Sequence, residues 1–379
     1  MTDTKNNRYF LLILITLLSS LFFWFCFYFN IPGRLSFPKT QLETVFANYD
    51  GPNYMVIAKC GYNKTCISHN FSLPLPLEYY PAHLPGFPLL IHILSFFTTG
   101  PKAMLLAALF GSIFLSLISY RFFSLYIPSE KAYWLAILLN FLPARLYILH
   151  QIGAPETWFL GYILASLYFF KKDKYFLSAI FAALAQVFKS PGILLFLAYG
   201  IFFLKKVILD KKKFGSEILK FLPFALVPLS VAVIFSVYYL YTGDFWAYFH
   251  SGDNFHLNPL PYLVFISNHT WINTIWLEDI IYIYFLSFLG VARLIKKYSW
   301  DITAVFSVVF LAASVLVAHR DISRYIAPLY PLLLLSYQKV LNKPVFKLIF
   351  ILLLPAIFLY AVNFVIGNTA PIADWKPYL

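Results

Sequence analysis

Asp50 stands in the run Asn48-Tyr49-Asp50-Gly51-Pro52-Asn53-Tyr54, between apolar stretches. A carboxylate held at such a low-dielectric boundary has the setting of a general base; the same residues also suit an Asx-type turn before Gly-Pro. Downstream, Glu78-Tyr79-Tyr80-Pro81-Ala82-His83-Leu84-Pro85-Gly86-Phe87-Pro88 carries an acid, a His and two Tyr. Its prolines forbid regular helix, so it reads as a wall for a polar ligand or as a rigid extended connector. Glu156 opens an apolar run, where it faces a ligand or complements the helix dipole. Lys189, in Phe188-Lys189-Ser190-Pro191-Gly192, lies between two closely spaced apolar runs and suits a phosphate or lipid headgroups. Arg145 lies within an apolar run. A cation in hydrocarbon costs about 2.5–3.5 kcal/mol on insertion scales, so Arg145 is expected to face a cavity or to pair with an acid such as Glu156. The densest charged cluster is His319-Arg320-Asp321-Ile322-Ser323-Arg324-Tyr325. There Arg324 is expected to point inward, while Arg320 and Asp321 can pair with each other. His250, Asp253 and His256, near Asp244, have metal-ligand types, but no metal or other cofactor is expected. Walker, G-x-G-x-x-G, H-E-x-x-H and D-x-D patterns are missing from the sequence, so nucleotide-sugar and ATP chemistry have no support.

The elements that must hold these groups are set by composition. Of 379 residues, 61% are hydrophobic and 12% charged, against roughly 25% charged in soluble domains; mean hydropathy is +0.73. This predicts an all-α polytopic membrane protein, one integral domain over 1–379. Crossing the hydrocarbon as helix takes about 20 apolar residues. Spans are expected near 9–29, 102–124, 131–150, 154–170, 174–189, 191–206, 218–241, 279–295, 300–318, 322–339 and 345–366, about 11 in all. The run Tyr9–Phe29 is too long for a signal segment and is read as a retained first span. Residues 87–97 are too short to cross and are expected to form a half-buried or interfacial helix. Outer loops then cover 30–100, with a helical piece near 40–60, and 242–278.

The net charge of +13 does not indicate nucleic acid, because the lysines cluster at span ends. With the N-terminus inside, 19 of the 29 basic residues and six of the 16 acids are cytoplasmic, leaving ten of each outside. That asymmetry favours this orientation and gathers Asp50, Glu78, Glu156, Asp244 and Asp321 on one face. Cys60 and Cys66 share the first outer loop and either pair or remain thiols; Cys26 lies in a span.

Taken in order, these segments resemble the PIG-V-type mannosyltransferases of the GT-C glycosyltransferase superfamily. The residues concerned are Tyr49-Asp50 with Tyr54, Ile57-Ala58 and Gly61-Tyr62; Tyr80-Pro81 through Gly86-Phe87-Pro88-Leu89-Leu90; Glu156; Phe188 to Gly192; Gly243-Asp244-Phe245; and Ser323-Arg324-Tyr325 with Pro328 and Pro331. Tyr49 stands where the family usually has Trp, and Lys189 where it usually has Arg. The resemblance implies transfer of a hexose, usually mannose, from a polyprenyl-phosphate donor to a lipid or glycan acceptor on the exoplasmic side; the compact chain and its short cytoplasmic loops favour a multi-pass protein of a prokaryotic plasma membrane over one of the endoplasmic reticulum. Asp50 would be the base. Lys189, Arg324, Arg320 and Arg145 would hold the donor phosphate, and Tyr54, Glu78, His83, Glu156 and Asp244 would position substrate. The alternatives are a lipid-linked glycan polymerase or ligase, and a lipid or glycan flippase or transporter. A transporter would carry ionisable groups near the midplane within inverted repeats, and neither is visible.

Overall fold

The computed structural model describes residues 2–252, 257–266 and 277–379. Among these the chain is a bundle of helices, with two isolated β-bridges and no named strand. The protein is an all-α integral membrane protein. Among the described residues, five helical stretches are long and apolar enough to cross a membrane: Asn7–Tyr28, Gly100–Phe123, Ser190–Ile208, Phe214–Thr242 and Pro344–Gly367.

The segment expected as the first outer loop is helical in pieces. After α1 (Thr2–Tyr28) come α2 (Leu42–Phe46) and α3 (Gly51–Cys60), parted at Asp50, the N-cap of α3, with Pro52 in its first turn. Proline suits that place because its missing N–H would have no intrahelical partner there. Cys60 and Cys66 form a disulfide. The short apolar run appears as α4 (Gly86–Ser95), ten residues packed against α3 and the next helix.

The remaining expected spans are α5 (Gly100–Phe123), α6 (Ser129–Leu139) with α7 (Ala144–Leu149), α8 (Glu156–Lys171), α9 (Tyr175–Phe188), α10 (Ile193–Ile208), α11 (Phe214–Phe221) with α12 (Leu226–Thr242), α13 (Leu277–Tyr298), α14 (Ile302–Ser314), α15 (Tyr330–Leu341) and α16 (Pro344–Gly367). Three expected single helices are broken, the 218–241 run by the 3-10 turn Leu222–Ala225. The 131–150 run divides before Pro143, which cannot donate a backbone bond. The 322–339 run becomes regular only at Tyr330, beyond one short turn at Ile322–Tyr325 and another at Ala327–Leu329. Arg324 sits in the first of these short turns, ahead of the regular helix.

Helix α8 lies along α5 and α9 at close range. A Cβ at Gly111 would sit 2.5 Å from Thr157 Oγ1, and one at Gly161 would sit 2.6 Å from a carbon of the Phe114 ring. Small residues at such crossings let apolar helices approach without a hydrophobic drive between them. Polar pins reinforce the bundle: Thr16 bonds Ser116 at 2.9 Å, and Ser116 donates to Asn140 Oδ1 at 2.8 Å.

The two ends of the bundle are chemically different. At one end Arg8 donates to Ser129, Tyr126 donates to Asp301, and Lys171 pairs with Asp301, so the links 124–128, 172–174 and 299–301 meet. At the other end lie the segment between α1 and α5, the links 150–155 and 189–192, and the link 315–321. The segment after α16 also returns to this end. Asn48 and Thr369 form a bridge, Tyr49 N donates to Asn368 O at 3.0 Å, and Ala370 N donates to Ala47 O at 2.8 Å.

Candidate active site

Four distant stretches converge on one cavity of about 570 Å³ at this second end. The start of α3 supplies Asp50, the start of α8 Glu156, the α9–α10 link Lys189, and the broken entry to α15 Arg324. Arg324 Nη2 donates to Asp50 Oδ2 at 3.1 Å, and its Nε donates to Glu156 Oε1 at 2.6 Å. Lys189 Nζ donates to the same Glu156 oxygen at 2.6 Å. His83 Nε2 stands 3.7 Å from Asp50 Oδ1. The Tyr54 ring meets His83 edge-on at 5.0 Å.

Two carboxylates and two cations thus alternate through the cluster, with Glu156 only 1% exposed and Asp50 26% exposed on their side chains. A buried charge is tolerated when paired and hydrogen-bonded. Burial works against ionising Asp50, but the Arg324 guanidinium and then His83 hold its carboxyl well below the usual carboxylate range. Arg320 also lines the cavity, is exposed, and has no carboxylate partner among the described residues.

Behind the cavity lies a second charged layer. Arg145, 4% exposed, pairs with Asp321 and donates to the Tyr49 hydroxyl, which itself donates to Asp321. Asp321 is kept ionised against its burial by Arg145 and then Arg324. Arg145 therefore satisfies Asp321, in place of the expected pairing with Glu156. It does not line the cavity, lying buried behind Tyr49, which does. The expected Arg320–Asp321 pair is replaced by that of Arg145 with Asp321.

Two other sequence-predicted residues stand apart from the cavity. Glu78 opens the 3-10 turn Leu77–Ala82, points outward and accepts from Lys64 at 2.7 Å, which lowers its pKa. Asp244 stands with His250 at 2.7 Å, and that hydrogen bond keeps its carboxyl low. His250 is accordingly engaged by Asp244, while Asp253 and His256 lie outside the described residues. The other half of the proline-rich wall does reach the site, through Tyr79, Ala82 and His83.

Sequence reasoning missed the segment after α16. Asn368, Thr369 and Ala370 line the cavity, and buried Asn48 donates through Nδ2 to the carbonyls of Val365 and Asn368, each at 2.9 Å. Tyr248 also lines it and donates to Ser190 at 2.7 Å. Neither contact leaves a local signal in the sequence.

No family model matches the sequence, and no curated protein does. Among solved structures the chain is similar to the Archaeoglobus fulgidus oligosaccharyltransferase in its apo form, with a TM-score of 0.56 and 13% identity over 97% of this chain and 57% of that one. It is also similar to the Archaeoglobus fulgidus oligosaccharyltransferase in complex with Zn and sulfate, with a TM-score of 0.53 and 13% identity over 97% of this chain and 54% of that one. The chain therefore spans a little over half the length of the structures it matches. The shared architecture is the GT-C fold. The residues of the cavity do not fit a divalent cation of that kind. Asp50 and Glu156 each already accept from cationic side chains, and among the described residues no group of three His, Cys, Asp or Glu could hold a metal.

Proposed function

We propose that this chain is an inverting GT-C glycosyltransferase of the PIG-V type, moving a hexose, most simply mannose, from a polyprenyl-phosphate donor to a lipid or glycan acceptor on the exoplasmic face. The observation that carries this reading is the meeting of Asp50, Arg324, Glu156 and Lys189 in one cavity at the end of the bundle opposite the lysine clusters. A lipid-linked donor arrives laterally, so a site at the bilayer edge suits it. The acidic and basic groups crowd one end, which favours a transferase over a transporter with midplane sites.

The acceptor oxygen attacks the anomeric carbon as the bond to the lipid phosphate breaks, and the electron pair leaves with the phosphate. Lys189, Arg324 and Arg320 supply charge-assisted bonds to that phosphate. The acceptor proton passes to Asp50, whose Oδ1 is free of Arg324. A carboxylate of low pKa is always ionised, and the acceptor hydroxyl grows acidic as its bond to an oxocarbenium-like carbon forms. Inversion needs one such base. Tyr54, His83 and Glu156 shape the sugar subsite.

The test is incubation of the purified protein with labelled polyprenyl-phosphate mannose and total cell lipids. A labelled product carrying one hexose, lost in Asp50→Asn, supports the reading. A product carrying a preassembled oligosaccharide from a lipid-linked oligosaccharide donor would favour the activity named for the Archaeoglobus enzyme, and no product from either donor would refute transfer.

A further inference from the structure

Tyr49 is held in an unusual way for a residue of its type. Its backbone has φ +56°, in the left-handed region, which bulky non-glycine residues rarely adopt and which persists only where the surroundings over-determine it. The surroundings do so here. The backbone N–H donates to Asn368 O at 3.0 Å. The hydroxyl donates to Asp321 and accepts from Arg145. The ring lies nearly parallel to Phe364, with centroids 5.5 Å apart and planes at 16°. What that fixed ring presents is a face to Arg324, whose guanidinium carbon lies 4.6 Å from its centroid. Among the described residues, Arg324 hydrogen-bonds to both carboxylates of the cavity.

A residue that only filled space would need neither the strained backbone nor anchors from three separate elements. We propose that Tyr49 is a positioning residue for the donor phosphate. Its ring seats Arg324 by a cation–π contact at the point from which the guanidinium spans Asp50 and Glu156, and the turn at its own Cα aims the next residue, Asp50, into the cavity. Cation–π attraction strengthens when the pair is shielded from water, as it is here, with the Arg324 side chain 13% exposed. Asp321 and Arg145 act one step further back, by holding the phenol. This inference rests on the reading of Arg324 as a phosphate ligand.

The test uses the full chain in lipid nanodiscs, with farnesyl monophosphate as the probe of phosphate binding and melting temperature as the control for packing. Tyr49→Phe keeps the ring and is expected to weaken binding by about threefold or less. Tyr49→Leu removes the ring and is expected to weaken it by about tenfold, or about 1.4 kcal/mol. In an Arg324→Gln background the same Tyr49→Leu change is expected to add less than threefold, because the group it positions is gone. Equal losses from Tyr49→Leu in both backgrounds would overturn the inference and leave the proposed function standing. So would Phe and Leu variants that lower the melting temperature alike at unchanged affinity. Failure of the unsubstituted protein to bind farnesyl monophosphate would instead strike the reading of the cavity itself, and this inference with it. If Arg324→Gln does not fold, the Phe-against-Leu contrast in affinity decides.

Discussion

Arg324 and Asp50, 274 residues apart in sequence, join through a 3.1 Å hydrogen bond at the floor of the cavity. The bond ties the proposed base to the cation that also grips Glu156. It allows the two proposed halves of the reaction, proton acceptance and phosphate departure, to be tested separately.

Replacing Asp50 with Asn keeps the shape and removes the base. General-base contributions run at about 10²–10⁴-fold, so transfer is expected to fall by at least about two orders of magnitude in a protein that still folds, because Arg324 keeps its bond to Glu156. Near-normal turnover in this variant would refute the assignment.

Lys189→Ala leaves Glu156 still paired with Arg324, so the fold should tolerate it. The expected change is a raised donor requirement, roughly tenfold for one charge-assisted bond of about 1.5 kcal/mol, with maximal rate less affected. A donor titration that superimposes on the unsubstituted protein's would exclude Lys189 as a phosphate ligand.

Asp50 is held below the ordinary carboxylate range by Arg324 and His83, against its own burial. Its contribution to stability is therefore fully present above the unfolded value, near 3.9, and is lost only as pH falls through the lower folded value. Transfer should show no acid limb from Asp50 between pH 5 and 8. A limb in that window that moves in Asp50→Glu would contradict this.

Arg145 and Asp321 form a buried pair, and breaking such a pair from one side costs about 3–5 kcal/mol. Arg145→Met is expected to lower the melting temperature by many degrees. A double change of Arg145→Met with Asp321→Asn should recover part of the loss. If the single variant melts with the unsubstituted protein, the pair contributes nothing to the fold.

Sidedness has its own test. Cysteines placed at Arg320 and at Lys212, both exposed, should react with an impermeant maleimide from opposite faces of a sealed membrane. Labelling of both from one face would undo the arrangement of ends described above.

Much of this was readable in the chain because hydrocarbon imposes a strong, local rule. Runs such as Gly100–Phe123 and Pro344–Gly367 declare themselves by length and apolarity, and the lysine clusters mark one end. Asp50, Glu156, Lys189 and Arg324 were each conspicuous as charges out of place in such a chain. Which charge meets which was not readable. Arg145 could have satisfied Glu156 or Asp321, and only the three-dimensional path through Tyr49 decides for Asp321. Glu78 carried the right chemical type, but sequence does not give the direction of a side chain, and Lys64 draws it outward. The 368–370 segment has no periodicity and no charge to betray that it walls the cavity.

The hold of Asn48 on the carbonyls of Val365 and Asn368 spans 317 and 320 residues, and it has a consequence for biogenesis. The loop that bears the proposed base emerges early from the ribosome, yet its clamp is translated some three hundred residues later. Until that partner segment is made and threaded to the same side of the membrane, Asn48 lacks both carbonyls it bonds, so the proposed transfer would wait on a completed chain.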